Sequence, residues 1–195
     1  FAATQPLALS NAVRVDGVVS NTAAGMVSMS SSLAGTGALS GKFAFSGTNT
    51  CWYLKADAAG FTERVDLAEA VAANADALLQ LARINASFSS VPDIAQRWPL
   101  APAGNLTKVQ AEAIEVKALD ADQEEVPGVK ATVIDGVLTL CVLDDSMPIS
   151  AYWTGEGKFG DPSDPKNWSC QNGFGENLPD TVPMGRTTIY LGNGC

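Results

Sequence analysis

Apolar residues in the first fifty positions recur at every second place. Val13 and Val15 alternate with Ala12, Arg14 and Asp16, Val27 and Met29 with Ser28 and Ser30, and Phe43 and Phe45 with Lys42, Ala44 and Ser46. A period of two is the signature of strands with one buried face. Asp16-Gly17 offers a turn before Val18-Val19. The segment is rich in Ala, Ser, Thr, Gly and Val and holds no aromatic between Phe1 and Phe43. Such a small-residue arm could complete a neighbour's sheet by strand addition. Val13, Val15, Val18, Val27 and Met29 are therefore expected to face a core or a neighbouring copy.

Further along, Leu67, Val71, Leu78 and Ala82 recur at helical spacing, with Leu79 broadening the stripe, which predicts one packed helix over about 66–84. Asp66 followed by Glu69 resembles a capping box at its start. Ala113 to Leu119 and Val129 to Val133 alternate again, and Asp135-Gly136 predicts a hairpin turn into the apolar run Val137 to Leu143. From Ala151 the composition shifts to aromatic, Gly, Pro and Asp, marking a boundary near Pro148. The expected fold is mainly β: an antiparallel sandwich-like domain over 1–150 and a small, disulfide-closed module over 151–195.

A chain of 195 residues can bury a substantial core, and 46% hydrophobic against 17% charged residues argues for a folded protein. The formal charge is −9, and the 12 Lys and Arg are scattered without the basic cluster that follows a phosphate backbone, so nucleic acid is not an expected partner. No apolar run approaches the roughly 20 residues that span a bilayer, so no membrane span is expected. A chain opening at Phe1 and not at Met suggests either removal of a leader peptide or a trimmed chain.

Cys51, Cys141, Cys170 and Cys195 are even in number, widely spaced and without a Cys-x-x-Cys pair or any histidine to complete a zinc site. Disulfides are the expectation, in an oxidising compartment outside the cell. Three pairings are open; Cys170 with Cys195 and Cys51 with Cys141 is favoured, because the first would close the C-terminal segment.

The absence of histidine removes Ser-His-Asp hydrolysis, Cys-His chemistry and histidine-based metal hydrolysis. Cys141, in an apolar strand, then reads as a core thiol or half-cystine. Carboxylate chemistry remains, with Asp144-Asp145, Glu124-Glu125 and Asp161 with Asp164 as candidates for a glycan hydrolase. Adjacent residues on a strand point to opposite faces, so Asp144 and Asp145 would not converge. Neither an enzyme nor a cofactor is the expectation. Gly155-Glu-Gly157-Lys-Phe-Gly160 matches G-x-G-x-x-G, but Asp161-Pro162-Ser-Asp164-Pro165 follows and makes a loop, not a helix. Asp161, Asp164 and Asn167 offer oxygen atoms of the kind that bind Ca²⁺, but without EF-hand spacing they are expected to act as turn formers.

Tyr152-Trp-Thr-Gly155, Asp164-Pro-Lys-Asn-Trp168, Leu178-Pro-Asp-Thr-Val182 and Thr187-Thr-Ile-Tyr-Leu191 form a pattern that resembles bacterial autotransporter-like and adhesin-like surface proteins. Leu33-Ala-Gly-Thr-Gly-Ala-Leu-Ser-Gly41 and Phe45-Ser-Gly-Thr-Asn49 resemble phrases of their repeat strands. The resemblance covers about 45 C-terminal residues. It implies the bacterial exterior, and it implies that Trp153 and Trp168 anchor packing. Two departures, the four cysteines and the lack of a visible repeated strand unit, argue against a long β-solenoid.

The functional expectation is an extracellular structural or attachment protein that assembles with copies of itself or other surface proteins. The alternative is a secreted carbohydrate-binding module presenting Trp52, Tyr53, Trp153 or Trp168 to sugar rings.

Overall fold

The alternating segments of the first fifty residues form short strands: β1 (Leu7–Leu9), β2 (Val13–Arg14), β3 (Val18–Asn21), β4 (Val27–Met29), β5 (Ser32–Ala34), β6 (Ala38–Gly41) and β7 (Phe43–Phe45). In the computed structural model, which describes residues 5–90, 96–142, 148, 150–172, 176–184 and 187–192, these strands wind instead of folding back. β4 lies parallel to β1, β5 to β2, β6 to β3 and β7 to β4, so each circuit brings the chain back beside its own start. The result is a short, three-faced parallel β-solenoid.

Next come β8 (Cys51–Asp57), β9 (Gly60–Glu63), α1 (Ala68–Ala73), β10 (Arg83–Phe88), β11 (Arg97–Pro102), α2 (Lys108–Glu112), β12 (Glu115–Leu119), β13 (Val129–Ile134) and β14 (Val137–Val142). β8, β10 and β12 extend the second solenoid face in the order β12-β10-β8-β5-β2, every pairing along that path parallel. β9 returns antiparallel along β8. Strand parity then sorts the side chains. Val13, Leu33, Trp52, Ile84 and Val116 fall in one register row, and Leu33, Trp52 and Ile84 are each 0% exposed. The first face contributes the parallel rows Leu7–Val27–Phe43 and Leu9–Met29–Phe45. Of these rows Val27, Met29, Leu33, Phe43, Phe45, Trp52 and Ile84 are buried and belong to the core of the N-terminal unit, Phe1–Cys141.

The expected antiparallel sandwich is therefore replaced by parallel coils in this region. Alternation reports which face of a strand is buried, but carries no information on the direction of its neighbour. The Asp16-Gly17 turn is a coil corner, with Gly37 N donating to the Val15 carbonyl and Ala38 N to that of Gly17.

The helix over 66–84 is also corrected. α1 stops at Ala73, because Asn74 adopts an extended backbone (φ −150°, ψ 99°) and its side chain donates to the Phe43 carbonyl oxygen at 3.3 Å. Turns follow as far as Gln80. Leu67, Val71 and Leu78 are buried as the stripe implies, but on a helix followed by turns. Asp66 takes a place in the solenoid: its N–H donates to the Gly37 carbonyl and its carbonyl accepts from Leu39 N. The Asp135-Gly136 turn forms with positive φ at both residues (48° and 76°), joining β13 and β14 as sheet neighbours, as a two-residue hairpin requires.

The second unit, Val142–Cys195, holds β15 (Ser150–Trp153), a single 3₁₀ turn (Pro165–Asn167), β16 (Trp168–Gln171), β17 (Asn177–Leu178) and β18 (Thr188–Tyr190), with sheet order β17-β16-β15-β18.

The disulfide expectation is corrected as well. Cys51, Cys141 and Cys170 are free, buried thiols. Cys51 opens β8 in the solenoid sheet whereas Cys141 pairs with Arg97 in the separate β11-β14-β13 sheet, and Cys170 donates its thiol to the Thr181 carbonyl oxygen at 3.2 Å. Cys195 lies outside the described residues.

Candidate functional site

The parity that sends Trp52 inward sends its neighbours outward. Ser32, Cys51, Arg83 and Glu115 are the first residues of β5, β8, β10 and β12 and stand in one register row on the outer face. In the same direction, two residues along, Tyr53, Asn85 and Lys117 form the next row. The corners entering these strands rise around the first row and around Tyr53 and Asn85 of the second, bounding a cavity of about 350 Å³ whose lining does not include Lys117. It is walled by hydroxyls, carboxamides, one thiol and one phenol ring.

Arg83 and Glu115 are the charged pair in that wall. Arg83 Nη2 lies 2.7 Å and Nε 2.9 Å from Glu115 Oε2, and the hydrogen bond to Glu115 holds the guanidinium above its ordinary range. Their charges cancel locally. Cys51, 8% exposed, has its thiol pushed up by burial, against the pull of Arg83, which favours the protonated form. Asn85 Oδ1 is buried and has no hydrogen-bond partner. Thr50, by contrast, is fully engaged: its hydroxyl donates to the Gln80 carbonyl at 2.6 Å and accepts from Ala82 N at 2.9 Å.

Of the sugar-platform candidates, Tyr53 stands on this outer face, 45% exposed, while Trp52 is fully buried and offers no ring to solvent. Sequence reasoning missed Arg83, Asn85 and Glu115, because their convergence depends on parallel register between segments over thirty residues apart.

In the second unit the tryptophans close a loop. Trp153 and Trp168 face each other in register, with ring centroids 4.9 Å apart at 83°, and Trp168 Nε1 donates to the Pro162 carbonyl at 2.8 Å. Asn167 is wholly buried. Its Nδ2 donates to the carbonyls of Lys158 and Asp161, and its Oδ1 accepts from Gly157 N. Asp164 accepts from the backbone N–H groups of Lys158 and Lys166, and these bonds hold its carboxyl below the ordinary range. Asp161 accepts from the Ser163 hydroxyl and N–H. The side chains of Asp161, Asp164 and Asn167, the Ca²⁺ candidates, are thus engaged with backbone and hydroxyl groups of their own loop.

The remaining candidates fall apart spatially or outside the described residues. Val15, Val27 and Met29 point into the core at 3%, 0% and 2% exposure, Val13 is half-buried, and Val18 is 74% exposed. Glu124 and Glu125 sit in the turn after β12, where the Glu124 N–H donates to the Asp120 carboxylate. Asp144 and Asp145 lie outside the described residues. No helix among the described residues is long and apolar enough to cross a membrane.

No family model, curated protein or solved structure matches this chain.

Proposed function

We propose that the chain is an extracellular structural or attachment protein whose copies join by strand addition at the first coil of the solenoid. One observation carries the reading. β1, β2 and β3 belong to a single circuit, and each is the border strand of its sheet, paired on one side alone among the described residues. Along β1 and β2 this coil end therefore offers open sheet edges, the condition under which one sheet adds to another. Leu7 and Val18 on this circuit are 42% and 74% exposed, an apolar surface of the kind that stacking would cover. The likeness of the C-terminal motifs to bacterial autotransporter-like and adhesin-like proteins supports a place at the cell surface.

Electron microscopy of the native, non-reduced protein tests the reading. Regular filaments or sheets are expected, and Val18→Asp, a change at an exposed position, should disperse them while leaving the circular dichroism spectrum unchanged. Monodisperse wild-type particles across a range of concentrations would remove the proposal.

A further inference from the structure

We propose that the cavity at the starts of β5, β8 and β10 is a binding site for a neutral saccharide unit. Four features of the wall lead to this ligand class. First, the side chains of Ser32, Thr48 and Asn49 line the cavity and make no hydrogen bond with any described residue. Ser32 is half-buried and Thr48 and Asn49 are exposed, so their hydroxyl and carboxamide groups are open to a ligand, whereas the buried Thr50 hydroxyl is committed to the fold. Second, the Asn85 carbonyl oxygen is removed from water without a partner. A ligand hydroxyl bonded to it relieves that deficit. Third, Tyr53 stands in register with Asn85 and supplies an apolar ring face beside the carboxamide. A surface that combines a phenol face with hydroxyl and amide groups matches a sugar ring, which has a C–H face and a rim of hydroxyls.

The fourth feature is charge. Arg83 and Glu115 are the charged residues of the lining and pair with each other, so the wall itself offers a phosphate or carboxylate no unpaired cation. The volume, about 350 Å³, lies at the small end of the roughly 300–1,000 Å³ span of small-molecule sites and suits one or two rings of a longer glycan. The site lies within the N-terminal unit and does not depend on assembly, so binding and filament formation stand or fall by separate measurements.

The test is an array of neutral and acidic glycans probed with the full chain, followed by calorimetric titration with the best neutral oligosaccharide. Binding to neutral glycans is expected, about tenfold weaker in Tyr53→Ala and in Asn49→Ala. Asn49 is exposed in a corner, so its variant decides the matter should Tyr53→Ala fail to fold. Peptide mapping after alkylation gives a second readout: the oligosaccharide should slow labelling of Cys51 and leave that of Cys141 unchanged. An array blank for neutral glycans, binding confined to acidic ones, or full affinity in the Asn49→Ala protein would overturn the assignment.

Discussion

The side-chain nitrogen of Asn167 donates to the Lys158 carbonyl oxygen at 2.7 Å across the loop between β15 and β16. With its bonds to Asp161 and Gly157, this single carboxamide satisfies three backbone groups at a position with no access to water. Asn167→Ala strands all three and should destabilise the C-terminal unit by on the order of 3 kcal/mol. Asn167→Asp should do no better, because a carboxylate cannot donate to two carbonyls. Denaturant titration followed by tryptophan emission checks both, since Trp153 and Trp168 frame the loop.

Coil corners give a second contrast. Gly35 has φ +126°, and a Cβ there would run into the Val15 carbonyl of the adjacent coil, whereas a Cβ on Gly17 meets nothing within 4 Å. Gly35→Ala should therefore cost more than about 2 kcal/mol, while Gly17→Ala should stay within about 0.5 kcal/mol of the parent. Thermal unfolding of the pair checks the prediction; equal losses would contradict it.

Acid should loosen both units. Glu63 is held below its ordinary 4.5 by hydrogen bonds from Lys55 and then Arg14, and Asp16 below 3.8 by Arg14. In the C-terminal unit the Ser163 hydroxyl lowers Asp161, and the backbone N–H groups of Lys158 and Lys166 lower Asp164, both from 3.8. A depressed carboxylate contributes fully above its unfolded value and loses that contribution as pH falls through its folded one. Unfolding midpoints should be level from pH 7 to about 5 and then fall below about pH 4.5, with the first loss reduced in Glu63→Gln.

Thiol chemistry separates bonded from free cysteines. Denatured, never-reduced protein should react with Ellman's reagent at Cys51, Cys141 and Cys170. In the folded state at pH 8 Cys141 should be silent, because it is 0% exposed and burial pushes its thiol up to about 11. The raised value also has a stability consequence: the contribution is whole below 9.0, the unfolded value, and is lost as pH rises toward about 11. Absence of free thiols after denaturation would contradict the arrangement.

What the sequence disclosed follows from what each pattern physically encodes. The Asp135-Gly136 turn was legible because both residues must adopt positive φ, which Asp and Gly tolerate. The pairs Val27 with Met29 and Phe43 with Phe45 marked buried strand faces, yet nothing in them distinguishes a parallel neighbour from an antiparallel one. The stripe through Leu67, Val71 and Leu78 encodes burial, but helical spacing does not reveal that Asn74 ends the helix through a tertiary bond to the Phe43 carbonyl. Trp52 and Tyr53 looked equivalent as adjacent aromatics, although alternation alone requires them to face opposite sides. The cavity was invisible because its wall gathers residues from four strands distant in sequence, a juxtaposition that only register creates.

The stacked circuits also govern how such a chain tolerates insertions. Adding one residue within β5 or β8 exchanges the inward Leu33 and Trp52 positions for outward ones, and the error persists until a corner absorbs it. Adding a complete circuit leaves every later rung facing as before, and merely places one more layer between β1 and the cavity. For this half of the chain the circuit, and not the residue, is the smallest harmless increment of length.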